Sequence, residues 1–457
     1  MGKEMDKNYK EKNLAKQIIN KNNQIKRKKY FLIFLIFLLV SGISLFLIID
    51  HKLTILFYSI FTLYTLITYL MIWFEEEKSI NLPKIKKWPN VSIIIPCYNS
   101  SDTVLKTIEA CKALEYRAKK EIIVVDDGST DNVFEKLKKI DNIKAFRKEK
   151  NSGKGAALNY GIEKSSKDSE IIICVDADSY PQEDTLLKAV PYFYLEEKVG
   201  AVVLYISAYK PKTLAQRMQQ IEYWISMGFM LRIVSLIDSI YVTPGPMALY
   251  KKEVFNKIGF FDENNLTEDM EIALRMQRHG WKIKACHDSV VYTETPKTFF
   301  SLFKQRIRWF RGGINNVLNY ADMVFNIKYG ALGFFIMPLI LITGFCGSIL
   351  VIWALINYSK AWQSWLFGIL FAPKSFEGFI KIITQTLYLY DSSMIFWIVA
   401  LFFWMYFIYQ GFKLAKQKIK AEHIIPILLI LWFYPVFIGL AFFSAAFFEA
   451  IKGERKW

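Results

Sequence analysis

The sequence predicts an α/β domain with a mostly parallel sheet, inserted between amino- and carboxyl-terminal transmembrane helices. Three observations carry this. Long, nearly uncharged apolar runs stand at both ends of the 457 residues, and none stands between 75 and 329. Within that middle stretch, short buried-strand patterns alternate with helical ones. Three of those strands end in polar or acidic residues. A chain with 53% apolar residues and a net charge of +17 is also too apolar for a purely soluble protein.

The elements follow in order. Residues 1–29 are Lys-rich and polar, and read as a disordered cytoplasmic tail rather than a cleavable signal. Residues 30–74 hold two transmembrane helices, "YFLIFLIFLLVSGISLFLII" and "LTILFYSIFTLYTLITYLMIWF". Residues 75–299 form the α/β domain. Residues 300–329 open as an amphipathic interfacial helix. Phe299, Phe300, Leu302, Phe303, Ile307 and Phe310 make its apolar side, and Lys304, Arg306 and Arg311 its basic side. The stretch 214–237 reads likewise. Residues 330–457 supply about three more transmembrane helices (330–356, 394–412 and 424–448). Between them, 365–390 is broken by Pro373, Lys374, Glu377 and Lys381 and reads as interfacial or re-entrant.

Charge sets the orientation. "KNNQIKRKKY" precedes the first span and "KLAKQKIKAEH" lies between the last two, and such clusters stay in the cytoplasm. Two spans then return the 75–299 domain to the cytoplasm. The expected setting is a multi-pass protein of the cell membrane, with the lipid bilayer as a partner. No aromatic-basic RNA motif accompanies the positive charge, so nucleic acid is not an expected partner. The five cysteines form no CxxC and the four histidines no HxxH or HxxxH, which points to reduced thiols and no zinc.

The α/β domain opens with Val91–Ile95 in "VSIIIPCYNS", stopped by Pro96. Ile122–Val125 in "EIIVVDDGSTD" and Ile171–Val175 in "EIIICVDADSYP" repeat the design. Helical patterns at Asp102–Leu114 and Gly155–Glu163 fill the gaps, giving β-α-β-α-β and right-handed crossovers. Ligands bind beyond the carboxyl ends of such strands. Those ends hold Tyr98 and Asn99, then Asp126 and Asp127, then Asp176 and Asp178. One Asp-Gly is explained by a turn; acids converging from separate strands are not. Asp176-x-Asp178 suits Mg²⁺ or Mn²⁺, which take oxygen ligands and share them with a phosphate. Lys154, flanked by glycines before a helix, is either a solvated loop lysine or a nucleotide contact. In "NNLTEDMEIALRMQRHGWKI", Glu268 and Asp269 stand where a helix begins. Asn265 or Thr267 would cap it, and acids suit its first turn. A proton-transfer role is the other reading.

Six stretches in order, "IIPCYNS", "VVDDGST", "SGKGAALN", "VDADS", "LTEDME" and "QRIRW", resemble the membrane-embedded branch of the family 2 glycosyltransferases. That branch includes cellulose, hyaluronan and poly-N-acetylglucosamine synthases. The resemblance runs over roughly residues 90–315 and implies a GT-A, Rossmann-like fold with a UDP-sugar donor. It implies that Asp127 binds the uracil, with help around Pro96 and Tyr98, and that Asp178 holds the metal, with Asp176 on the ribose or metal. It makes Asp269 the catalytic base, with Glu268 beside it on the acceptor side and as a like charge raising its pKa. Gln305, Arg308 and Trp309 match Gln-x-x-Arg-Trp. There the Trp stacks on the acceptor sugar, with Gln305 beside it, and the Arg steadies the diphosphate, as Lys154 would. The acceptor is a growing polysaccharide or a lipid-linked sugar, and an accessory membrane subunit stands among the expected partners. The Phe-x-Val-Thr-x-Lys gating motif of cellulose synthases is not found after residue 330. This favours a poly-N-acetylglucosamine- or hyaluronan-like product, with secretion along the spans, or a single transfer to a lipid-linked acceptor.

Overall fold

A computed structural model describes residues 66–70, 72–74, 81–345, 347–349 and 393–451. The basic tail, the first expected span, most of the second and the 365–390 segment lie outside the described residues. The soluble part runs β1 (Val91–Cys97), α1 (Val104–Ala113), β2 (Lys120–Asp126), α2 (Val133–Leu137), β3 (Lys144–Arg147), α3 (Lys154–Glu163), β4 (Ile171–Val175), β5 (Ser179–Pro181) and α4 (Thr185–Ala189). It continues with β6 (Val199–Ala208), α5 (Leu214–Tyr223), a π-helical turn, α6 (Leu231–Leu236), β7 (Met247–Lys251), α7 (Lys252–Ile258), α8 (Glu268–Arg278), β8 (Lys282–Thr293) and α9 (Phe299–Asn319). Three long apolar helices follow: α10 (Leu332–Ile349), α11 (Ser393–Leu414) and α12 (Ala421–Ala450). By length and composition, α10 and α12 are long and apolar enough to cross a membrane.

The strands form one eight-stranded sheet in the order β3-β2-β1-β4-β7-β6-β8-β5. β1 pairs in parallel with β2 and β4, β2 with β3, and β6 with β8. β7 runs antiparallel between β4 and β6, and β5 antiparallel to β8. The central strands are continuous apolar runs because both sheet faces are covered. In β1, Ile93 and Ile95 pack on the α1 side with Val104 and Ile108, while Ile94 faces Leu158 and Ile162 of α3. Ile94 is fully buried, so Ile94→Ala would cost about 2–5 kcal/mol.

Pro96 does not stop β1. The strand runs on to Cys97, with Pro96 in register with Val125. The physical reason is that β4 pairs only with Val91–Ile94, so Pro96 sits where β1 has a partner on one side alone. The four described cysteines, Cys97, Cys111, Cys174 and Cys286, are free and buried.

The two stretches read as amphipathic carry their apolar faces into a separate core. Met218, Ile221 and Trp224 from α5 and its continuation meet Leu302 of α9, Phe407 and Phe412 of α11, and Phe437 of α12. α9 then runs alongside α12 on paired rings: Phe299 on Phe433, Phe303 on Phe437, Phe310 on Phe442. The basic side of α9 is not a solvated stripe. Lys304 is exposed, but Arg306 and Arg311 are buried. Acids from neighbouring helices explain this: Arg306 pairs with Glu222 of α5 at 2.6 Å, and Arg311 with Glu449 of α12 at 2.9 Å.

Candidate active site

The site lies at the carboxyl ends of β1, β2 and β4, where the chain leaves the sheet. At the end of β2, Asp127 is buried and accepts from the amides of Ser152 (3.1 Å) and Gly153 (2.7 Å). Its other oxygen meets Lys148 Nζ at 2.7 Å. Asp127 therefore fixes the loop that leads into α3. Asp126 accepts from the Ser129 amide at 2.9 Å and pairs with Arg147 at 3.3 Å. At the end of β1, Asn99 takes φ +47 and accepts from the amides of Thr130 and Asp131, so the first two strand ends are tied together. Tyr98 beside it is exposed.

Lys154, the first residue of α3, is not a solvated loop lysine. Its Nζ lies 2.6 Å from Asp176 and 3.2 Å from Glu268. Burial works against its charge, but Asp176, Glu268 and Asp269 outweigh that and raise its pKa. Glu268 is itself buried beneath this lysine. The loop before β7 closes over the pair. A Cβ on Gly245 would stand 2.7 Å from Lys154 Nζ and 2.8 Å from Asp176 Oδ2, so a side chain there would have to displace the ion pair. One step back, Thr243 donates its hydroxyl to the Asp269 carbonyl at 2.8 Å.

Asp269 stands in the first turn of α8. Thr267 occupies the cap position but makes no capping bond. Its hydroxyl instead accepts from Asn316 Nδ2 of α9 at 3.0 Å, and Asn316 also accepts from Asn265 at 2.7 Å. A Cβ on Gly312 would lie 2.2 Å from the Thr267 hydroxyl, so α9 approaches the Thr-Glu-Asp turn through a glycine. The capping expectation thus gives way to an inter-helix clamp that sets the position of Asp269. Burial pushes the Asp269 carboxyl up to about 6, with Glu268 adding to it; Lys154 and Arg308 pull the other way. Asp178 is likewise pushed up to about 6 by burial and then by Asp176.

Two carboxylates held together at this energetic cost fit a divalent cation. Among the described residues no three His, Cys, Asp or Glu side chains converge into a metal cage. Mg²⁺ or Mn²⁺ needs only one or two such carboxylates, taking its remaining oxygens from a substrate phosphate and water. The structure thus brings Lys154, Asp176, Glu268 and Asp269 into direct or near contact, with Arg308 close enough to act on Asp269. Gln305 and Trp309 lie further along α9. Trp309 is 37% exposed, and Gln305 accepts from Arg306 at 3.2 Å. Lys148 and Asn316 escaped the sequence reading, and Arg306 was read only as part of the basic side of its helix. Only Arg306, three residues before Trp309 on a helix, carried a spacing signal.

Acids at the strand ends of a mixed sheet, beside a buried carboxylate at a helix start, are what a glycosyltransferase with a GT-A-like fold requires. Comparison with known proteins agrees. Residues 92–259 match the family model Glycosyl transferase family 2. The poly-beta-1,6-N-acetyl-D-glucosamine synthase of Staphylococcus epidermidis is 32% identical over 291 residues, covering 62% of this chain and 69% of that protein. The synthase of the same name from Staphylococcus aureus strain MSSA476 is 31% identical over 267 residues, covering 56% and 64%. A solved mannosyltransferase from Pyrobaculum calidifontis, in complex with GDP-Man and Mn²⁺, superposes with a TM-score of 0.51 at 20% identity, covering 82% of this chain and 96% of that one. The chain belongs to glycosyl transferase family 2 and is a glycosyltransferase.

Proposed function

We propose that the protein transfers a sugar, with inversion, from a UDP-sugar to a growing β-linked polysaccharide at the cytoplasmic face of the cell membrane. The reading commits to an N-acetylglucosamine or hyaluronan-like polymer. The observation that carries it is the cluster that joins Asp176 and Asp178 after β4 to Lys154 of α3 and to Glu268 and Asp269 at the start of α8. The names of the staphylococcal relatives support the polymer and the sugar.

In this reading Asp127 and the loop it orders receive the uracil, beside Pro96 and Tyr98. Asp178 and Asp176 hold Mg²⁺ or Mn²⁺, which when bound supplies positive charge opposite the donor diphosphate. Lys154 and Arg308 add fixed charge on the same side. Asp269 accepts the proton of the acceptor hydroxyl as its oxygen attacks the anomeric carbon from the face opposite the leaving diphosphate. Its raised pKa suits a base working near neutrality. Trp309 offers the indole face on which the acceptor ring stacks, with Gln305 beside it. Glu268 acts from within, through Lys154 and Asp269, rather than from the open surface.

The test is radiolabel transfer by the purified, membrane-reconstituted chain from a panel of UDP-sugars, followed by sizing of the product. Product longer than one added sugar, made from UDP-N-acetylglucosamine, is the expected result. A single sugar on a lipid acceptor would replace the polymer reading, and no transfer from any UDP-sugar would remove it.

A further inference from the structure

Arg306 falls on an unassigned position inside Gln-x-x-Arg-Trp, yet it is among the largest fully buried side chains described. Every edge of its guanidinium is engaged. Nη2 donates to Glu222 Oε2 of α5 at 2.6 Å, Nε to the Tyr434 hydroxyl of α12 at 3.1 Å, and Nη1 to Gln305 Oε1 at 3.2 Å. Its carbon centre lies over the Trp309 ring, 4.1 Å from the centroid. One side of the indole is therefore occupied by a cation that three other groups hold still, while Trp309 as a whole stays 37% exposed.

We propose that Arg306 is a positioning residue for acceptor use: it braces the indole of Trp309 and ties the acceptor platform to the membrane-side helices α5 and α12. The inference rests on the reading of Trp309 as that platform. An indole on the half-open surface of a helix samples several rotamers, and a sugar that stacks on it must first select one. A ring already pressed against a fixed guanidinium has made that selection before the acceptor arrives. Lysine does not replace arginine here, because an ammonium has neither the planar face to lie against indole nor a fork that reaches two helices at once. An ion pair serving only to join α5, α9 and α12 would need no aromatic partner. Its loss would lower stability, donor binding and acceptor use together.

Arg306→Met alone would leave the half-buried Glu222 without its charge partner, so the test uses Arg306→Met combined with Glu222→Gln, which removes both charges. UDP-N-acetylglucosamine serves as donor and a short N-acetylglucosamine oligosaccharide as primer. The pair of substitutions is expected to raise the primer KM about tenfold, the worth of one desolvated cation–π contact, with UDP binding unaffected. Placed in a Trp309→Ala background, the same pair is expected to add little further, and Arg306→Lys alone is expected to recover only part of the loss. In fluorotryptophan-labelled protein, the fluorine resonance of Trp309, assigned by its loss in Trp309→Phe, is expected to move in Arg306→Lys without any substrate present. A penalty of equal size with and without the indole overturns the proposal, as does an unmoved Trp309 resonance. So does a parallel fall in Tm, UDP binding and rate. If Trp309→Ala itself leaves primer use intact, the platform reading fails and the brace falls with it. If only the Arg306 variants are silent, the platform stands and the brace alone is lost.

Discussion

The proposed donor and acceptor ends of the site are held by different means. At the donor end, Asp126 and Asp127 leave a strand of the sheet, and their carboxylates are fixed by backbone amides of Ser129, Ser152 and Gly153. At the acceptor end, Asp269, Arg308 and Trp309 stand on helices, and side chains set their positions. Asn316 clamps Thr267, Tyr320 donates to Glu271 at 2.6 Å, and Arg306 joins Glu222 and Tyr434. Carboxylates at a strand end that are held by backbone amides of the adjoining loops move only if the strand end or those loops move. A network of side chains can be loosened one member at a time. The donor end should therefore fail as a unit, whereas the acceptor end should be tunable without disturbing nucleotide binding.

The sharpest way to break this contrast is at the base. Asp269→Asn keeps the shape of the side chain and removes its basicity. Transfer is expected to fall by about 10²–10⁴, with UDP binding nearly intact. Single-turnover assays alongside calorimetry give both quantities; an Asn variant that works at wild-type rate returns Asp269 to a helix-start role. The next largest effect belongs to the donor end. Asp178→Ala is expected to abolish the gain in UDP affinity on adding Mg²⁺ or Mn²⁺. Tight UDP binding by the wild type without any divalent ion would count against Asp178 as a ligand.

A smaller test probes the clamp between α8 and α9. Gly312→Ala would place a methyl 2.2 Å from the Thr267 hydroxyl, and α9 or the Thr-Glu-Asp turn must give way. The expected cost is about 1–3 kcal/mol of stability, the usual range for overpacking. The contrast predicts a change in kcat/KM for the acceptor with UDP affinity untouched. Equal losses at both ends would show that the two halves are one rigid unit.

The same contrast explains what the sequence made legible. The first, second and fourth strands were readable because their apolar runs are continuous and end in punctuating polar residues. The acids at those ends then followed from topology. β3, "KAFR", is short and half-exposed, and carries no such run. β7 inserts antiparallel between β4 and β6, an arrangement set by long-range pairing that no local pattern encodes. In the site, Asp127, Asp176, Asp178 and Asp269 stood in recognisable stretches. Lys148, Asn316 and Glu222 did not, since their importance comes from partners 21, 49 and 84 residues away. Arg306 and Arg311 were read as a wet basic stripe because helical periodicity gives the face of a residue but not what packs against that face. Acids on α5 and α12 turned the stripe into a buried seam.

The gentlest test leaves every group at the base in place and changes only its surroundings. As the proposed base Asp269 would act deprotonated, and its carboxyl is pushed up to about 6, first by burial and then by Glu268. Transfer should therefore be full above that pH and fall about tenfold per unit below it, as the protonated fraction grows. Glu268→Gln removes the like charge but not the burial. Two consequences oppose each other. Loss of the neighbouring anion favours ionised Asp269, and so does Lys154, which keeps Asp176 but loses a competing acid. Burial alone still disfavours ionisation. The acid limb of the rate profile should therefore move to lower pH, while stopping short of the range of an exposed aspartate. At each pH, UDP affinity should be the same in the wild type and in Glu268→Gln, because Asp127 is fixed separately by amides and Lys148, and Asp178, also pushed up to about 6, titrates in both. A limb that stays in place would mean that burial sets the pKa without Glu268. A limb that moves upward would mean that Glu268 serves chiefly to hold Lys154 against Asp269, so that the two acids at the helix start act through the lysine rather than on each other.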